Sequence, residues 1–309
     1  MASPLPPLSD LHRHLDGSLR PSTLAELAAA KGRSVPKTLP FRGGMGLDAA
    51  LKKFAFILQF IQDPPQVQRI AAETCEDAAR EGVTTLEVRF APQLHRGAPV
   101  EAIVDAALEG LAGRAGLILC GLYGEPPTVL ESLVEVARTR PGVVGIDLAG
   151  GPDPEHRWIL ESYAKSFERA RELGIGRTVH ASEGRPPYEI RIAIEMLHAQ
   201  RLGHATTLLD EDEGDDARPV VDLVLERGVV IESCPTSNVH TGAVDSLAEH
   251  PIPKWLQRGV KVCINTDNTL LSATDARREH ETVLKQRGVT REALERAIQT
   301  GHAAKFIRA

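Results

Sequence analysis

The chain is poor in aromatic residues, with two Trp, three Tyr and seven Phe in 309 positions. That is too few for the stacking platform on which proteins seat single-stranded bases. Positive charge is not in excess either. The 36 basic and 42 acidic side chains give a net charge of −6, which argues against a protein that grips nucleic acid through a basic surface. No apolar run approaches the roughly 20 residues that cross a bilayer, so no membrane partner is expected. The segment MASPLPPLSD has neither the basic region nor the apolar core of a secretory leader. Cys75, Cys120, Cys234 and Cys263 are scattered with no CxxC pair, the usage of reduced, buried thiols and of a cytoplasmic protein. What is plentiful is apolar: 42% hydrophobic against 25% charged residues, enough for a sizeable core and too much for a disordered chain.

Short β-branched runs alternate with longer helical ones. Strands are expected at Asp10–Leu15, Thr84–Phe90, Leu117–Leu122, Val143–Leu148, Arg177–Ala181, Arg201–His204, Val229–Ser233 and Lys261–Asn265. Between them, helices are expected at Val67–Arg80, Val100–Leu111, Thr128–Arg138, Trp158–Leu173, Pro187–Gln200 and Ala217–Arg227. Thr23-Leu-Ala-Glu26 has the form of a capping box, with Gly32 as a stop. Eight strand–helix units imply parallel strands and an α/β fold, a (β/α)8 TIM barrel in one domain over residues 1–309. An open doubly wound sheet is the alternative. Residues 41–65, with an apolar helix over Leu47–Ile61, are longer than an ordinary βα loop and form a candidate helical lid after the first strand. The acidic run Glu211–Asp216 lacks EF-hand spacing and reads as a solvated loop before a helix.

The chemistry-bearing residues sit at expected strand ends. In Leu11-His12-Arg13-His14 the two histidines are two apart, so on a strand they share one face and can hold one metal ion. HxH alone is more often an ordinary pair of polar residues near a strand end than a metal site. However, Val179-His180-Ala181-Ser182-Glu183, Arg201-Leu-Gly-His204 and Asn265-Thr266-Asp267-Asn268 also close their strands, and that rim is where barrel enzymes keep their chemistry. Four histidines, a glutamate and an aspartate then converge.

With LHRHLDGS, DLAGGP, TVHASEG, RLGHAT, SCPTSNVHTGAV and NTDNTLL in this order between about Ser9 and Ser272, the chain resembles the adenosine deaminase family of the amidohydrolase superfamily. The resemblance implies one Zn2+ per chain, held by His12, His14, His180 and Asp267. It implies Glu183 as the acid that protonates N1 of a purine, and His204 as the residue that takes the water's proton and steadies the attacking oxygen. It further implies a purine-nucleoside substrate bound by Asp16 (a ribose hydroxyl), the Gly150 N–H (N3), Asn268 (N7) and, on the apolar side, Leu51 and Phe54. The expected reaction is hydrolysis at C6 of adenosine or 2′-deoxyadenosine, with aminodeoxyfutalosine or adenine as the alternatives within the family.

Two positions depart from the family pattern. Serine stands at 182 where the family has glycine, which needs slightly more room. Asn268 replaces the second of two paired aspartates, and its amide donates without needing a proton. Competing classes fit less well. Binuclear relatives need a carboxylated lysine on the fourth strand, which here reads VVGIDLAGG, and cytidine-type deaminases need PCxxC, which is missing. A non-catalytic nucleoside-binding protein would have lost Glu183, His204 or a ligand.

Overall fold

The computed structural model describes residues 5–151, 153, 155–210 and 219–308. Eight strands follow one another round a single sheet in chain order: β1 (Leu8–His14), β2 (Val83–Phe90), β3 (Gly116–Leu122), β4 (Val143–Ala149), β5 (Gly176–Ala181), β6 (Arg201–His204), β7 (Val230–Ser233) and β8 (Lys261–Ile264). Each paired neighbour is parallel. The first strand meets the segment leaving the last, where the His14 N–H donates to the Asp267 carbonyl at 2.7 Å and the Asp267 N–H to the His12 carbonyl at 2.8 Å. This seam makes the sheet a (β/α)8 barrel, and the doubly wound alternative falls.

The helices are α1 (Pro21–Ala30), α2 (Leu47–Leu58), α3 (Pro64–Glu81), α4 (Val100–Leu111), α5 (Pro127–Arg138), α6 (Ala164–Glu172), α7 (Tyr188–Glu195), α8 (Val220–Arg227), α9 (Pro235–Thr241), α10 (Ile252–Gln257), α11 (Ala276–Leu284) and α12 (Arg291–Ala304). Their buried faces recur at helical spacing, as at Val67, Ile70, Ala71, Thr74 and Ala78 of α3. The expected capping box at Thr23 is not one. The helix starts earlier, at Pro21, and the Thr23 hydroxyl donates to Glu73 of α3 at 2.6 Å. A capping box opens α3 instead, formed by Asp63 and Gln66. The helix expected over Pro187–Gln200 stops at Glu195, and His198 beyond it is left-handed with φ 52°. The acidic run Glu211–Asp216 lies outside the described residues. Among those described, no helix is long and apolar enough to cross a membrane.

The barrel interior beneath the C-terminal rim is charged rather than apolar. Arg89 of β2 reaches Asp147 of β4 at 2.8 Å and Glu232 of β7 at 2.7 Å, and Arg201 of β6 joins Glu232 at 2.6 Å and Glu87 at 2.5 Å. All five side chains are buried. Such ions persist in an interior only when each is paired, as here.

Candidate active site

Strand alternation turns His12 and His14 inward together, and β5 delivers His180 beside them. The His14 and His180 Nε2 atoms stand 3.2 Å apart, close to the ~3.3 Å edge of a tetrahedron with metal–nitrogen legs of ~2.0 Å. Asp267 closes the group, its Oδ1 lying 3.5 Å from His14 Nε2 and 3.8 Å from His12 Nε2. Two of the outer ring nitrogens are spoken for: His12 Nδ1 pairs with Glu232 at 2.8 Å and His180 Nδ1 with Asp147 at 3.0 Å. These carboxylates hold the rings with Nε2 facing inward, as metal-binding histidines require. His12 Nε2 is buried with no hydrogen-bond partner, an orphaned lone pair that a cation satisfies. Burial and the neighbouring Arg89 hold His12 well below the ordinary histidine range, so its nitrogen is free to ligate. Burial also pushes His180 down, but the Asp147 carboxylate outweighs it and raises the pKa. The donor set therefore fits a divalent metal.

All of the expected site residues except His12 line one cavity of about 370 Å3 at the C-terminal end of the barrel, and His12 lies just beneath it against the His14, His180 and His204 rings. Glu183, on the loop after β5, has its side chain 6% exposed, 3.7 Å from His204 Nε2. Burial raises its pKa against the pull of the Thr241 hydroxyl, which donates to it at 2.8 Å. His204 and Asp267 both adopt positive φ, 69° and 59°, backbone strain of the kind that gathers at functional sites. Asp16 follows β1 in a short 3-10 turn. It is 5% exposed, its Oδ1 has no partner, and burial lifts its pKa to about 7. Gly150 leaves β4 with φ 79°. On the opposite wall α2 presents Leu51 and Phe54, the Phe54 ring lying 6.1 Å from the His14 ring.

Sequence reasoning missed the residues that hold these in place. Glu232, Asp147 and Arg89 were visible as charges inside otherwise apolar strands, a signal in its own right. Ser237, Asn238 and Thr241 lay unassigned within SCPTSNVHTGAV. Gly17 reads as a turn residue, yet a Cβ there would sit 2.0 Å from Asn268 Oδ1 and 2.9 Å from Phe54, so glycine seats both. At Ser182 the difficulty is not the room expected but φ, which is 55°. Its hydroxyl donates to the Pro186 carbonyl at 2.9 Å and its N–H to Glu189 at 2.8 Å, bonds that offset a conformation glycine adopts freely.

The fold recurs in solved structures. Adenine deaminase from Arthrobacter aurescens matches with a TM-score of 0.86 at 25% identity, covering 97% of this chain and 94% of that one. An amidohydrolase from Burkholderia ambifaria with bound zinc matches with a TM-score of 0.85 at 23% identity, over 98% and 86%. Fold and site together define a barrel hydrolase able to hold a divalent metal. The sequence model of the family described as adenosine deaminase matches residues 7–309, and an adenosine deaminase from Clostridium kluyveri is 33% identical over 97% of this chain and 89% of its own length. The chain belongs to the adenosine deaminase family and is a hydrolytic deaminase.

Proposed function

We propose that the enzyme removes the C6 amino group of adenosine or 2′-deoxyadenosine, giving inosine or 2′-deoxyinosine and ammonia. The observation that carries this is the placing of Glu183, its carboxyl pKa raised by burial, beside the candidate metal cluster in a cavity that also holds the unpartnered Oδ1 of Asp16. Zn2+ held by His12, His14, His180 and Asp267 would supply an acidified water near neutral pH. Glu183 delivers a proton to N1, which makes C6 electrophilic and spares the ring a negative charge on nitrogen. His204 faces the attacking oxygen. The Gly150 N–H and the Asn268 amide orient the base at N3 and N7.

Asp16 favours a nucleoside over free adenine, because a ribose hydroxyl supplies the donor that a bare base lacks. Among the described residues, no lysine or arginine lines the cavity, which favours an uncharged nucleoside over a phosphate- or carboxylate-bearing relative. Residues 41–65 act as a lid of the single barrel domain, with α2 covering the apolar side. Four free, buried cysteines support a cytoplasmic setting. Ammonia release from a panel of adenine, adenosine, 2′-deoxyadenosine, AMP and 5′-substituted adenosines tests the reading. The two nucleosides should turn over fastest, and a preference for adenine or AMP would overturn it.

A further inference from the structure

Behind His204 lies a chain of hydrogen bonds that no step of the reaction uses directly. His204 Nδ1 meets the Asn238 side-chain Nδ2 at 2.9 Å. Asn238 Oδ1 meets His250 Nε2 at 3.1 Å. The chain ends on the backbone, where the Ile252 N–H lies 3.3 Å from His250 Nδ1. Asn238 and His250 are 0% and 2% exposed, so no bulk water competes for these bonds. Trp255 packs edge-on against the His250 ring with centroids 5.6 Å apart, which fixes its plane.

A backbone N–H can only donate. His250 Nδ1 must therefore accept, and a neutral His250 carries its proton on Nε2. That proton goes to Asn238 Oδ1, which leaves the amide NH2 facing His204. Nδ1 of His204 then accepts, and the proton of its neutral ring sits on Nε2, the nitrogen directed at Glu183 and the cluster. Reversing the order at any link sets two donors or two acceptors face to face. Burial and nearby His204 hold His250 down to about 3, so its ring is neutral and carries a single proton.

We infer that Asn238 and His250 are positioning residues that fix His204 in the Nε2–H tautomer, so that it meets the attacking oxygen as a hydrogen-bond donor. This rests on the proposed reaction only for what the oxygen is. A resting His204 of this form has no lone pair facing the cavity. It orients and then stabilises the oxygen that adds to C6, and taking a proton itself would require the Asn238 amide to turn over.

The test is long-range 1H–15N correlation on the zinc-loaded protein labelled at histidine, without substrate, with His204 assigned by loss of its signals in His204→Gln. The expected pattern has a protonated Nε2 and a bare Nδ1. A proton on Nδ1, in a neutral or a charged ring, overturns the inference without need of any variant. In His250→Leu the amide loses its anchor, and His204 should become a mixture of tautomers. The expected kinetic effect there is a roughly three- to tenfold fall in kcat, the scale of one hydrogen bond, with KM little changed. His250→Gln, whose amide N–H can reach Asn238 Oδ1, should restore both. An unchanged tautomer in His250→Leu would remove His250 from the device. The spectrum is read without turnover, so a failure of adenosine deamination leaves this measurement standing, and the reverse also holds.

Discussion

The two walls of the cavity are built on opposite principles. On the barrel side four of the site groups have a second group behind or beside them: Glu232 behind His12, Asp147 behind His180, Asn238 behind His204 and Thr241 beside Glu183. On the α2 side the contacts are apolar and few, and Leu51 remains 41% exposed. The first wall spends buried charge and strained backbone on fixed geometry. The second meets the cavity through apolar side chains alone; the Lys53 bonds of α2 go to the Thr38 and Pro40 carbonyls of its own segment and none reaches the barrel-side groups. Changes to the first should therefore strike kcat, metal binding or stability, and changes to the second should strike KM.

The largest effect is expected at Glu183. Glu183→Gln has no proton to give N1, and deamination should fall by about 10²–10⁴-fold while metal content should match that of the native protein. Activity of the native enzyme should decline as pH rises through the raised Glu183 pKa, and the variant should lack that limb. Stability runs with the same sign. A carboxyl whose folded pKa lies above its unfolded value adds stability at low pH that is lost as pH rises through the folded value. Above it, Glu183→Gln should unfold at higher denaturant than the native protein. A loss of activity under tenfold would move the acid to another residue.

Next comes Arg89, the link between the two carboxylates that hold His12 and His180. Arg89→Met leaves Asp147 without its arginine and Glu232 with Arg201 alone inside the barrel. Removing one partner of a buried ion pair costs about 3–5 kcal/mol, and disturbing the groups that orient ligands weakens metal binding by about 10–100-fold. Denaturant midpoints and competition with a chelator measure the two effects. Unaltered metal affinity would mean that the carboxylates hold the rings unaided.

Asn268 tests where directional bonding meets the apolar wall. Asn268→Leu withdraws the proposed N7 donor, at about 1–3 kcal/mol, or tenfold to a hundredfold in kcat/KM. Asn268→Asp should keep the fold and metal site but add an ionisation to the pH profile, since the acid donates only while protonated. If 7-deazaadenosine reacts as well as adenosine and Asn268→Leu is unimpaired, Asn268 supports Asp267 and does not read N7.

The barrel was legible because short, largely apolar runs alternate with longer helical ones, and the expected strand bounds fall within two residues of those found. His12, His14, His180, His204, Glu183 and Asp267 were legible for the same reason, as polar residues at strand ends. The supports were not. The partners of His12 and His180, Glu232 and Asp147, lie 220 and 33 residues from them, and a local pattern carries no register between strands so far apart. The link from His250 to His204 depends on one backbone N–H, which has no sequence signature. Short helices such as α10 give too little periodicity to read.

The smallest effect is expected at Leu51. Its side chain lines the cavity yet is 41% exposed, so packing within the free protein does not account for it. If α2 closes over the bound nucleoside, the remaining apolar surface of Leu51 is buried only in the complex. At about 25 cal/mol per Å2 that partial burial is worth roughly 1 kcal/mol, or about fivefold in affinity. Leu51→Ala should raise KM by that order and leave kcat within about twofold. Phe54→Ala should do more, because its ring also lies over the site of Gly17 and beside His14, and its loss would loosen the seat of Asn268. The contrast between the two is the useful measurement. A fall in kcat at unchanged KM for Leu51→Ala would show that α2 positions the catalytic residues, and the division between a fixed wall and a covering wall would fail at the helix that defines it.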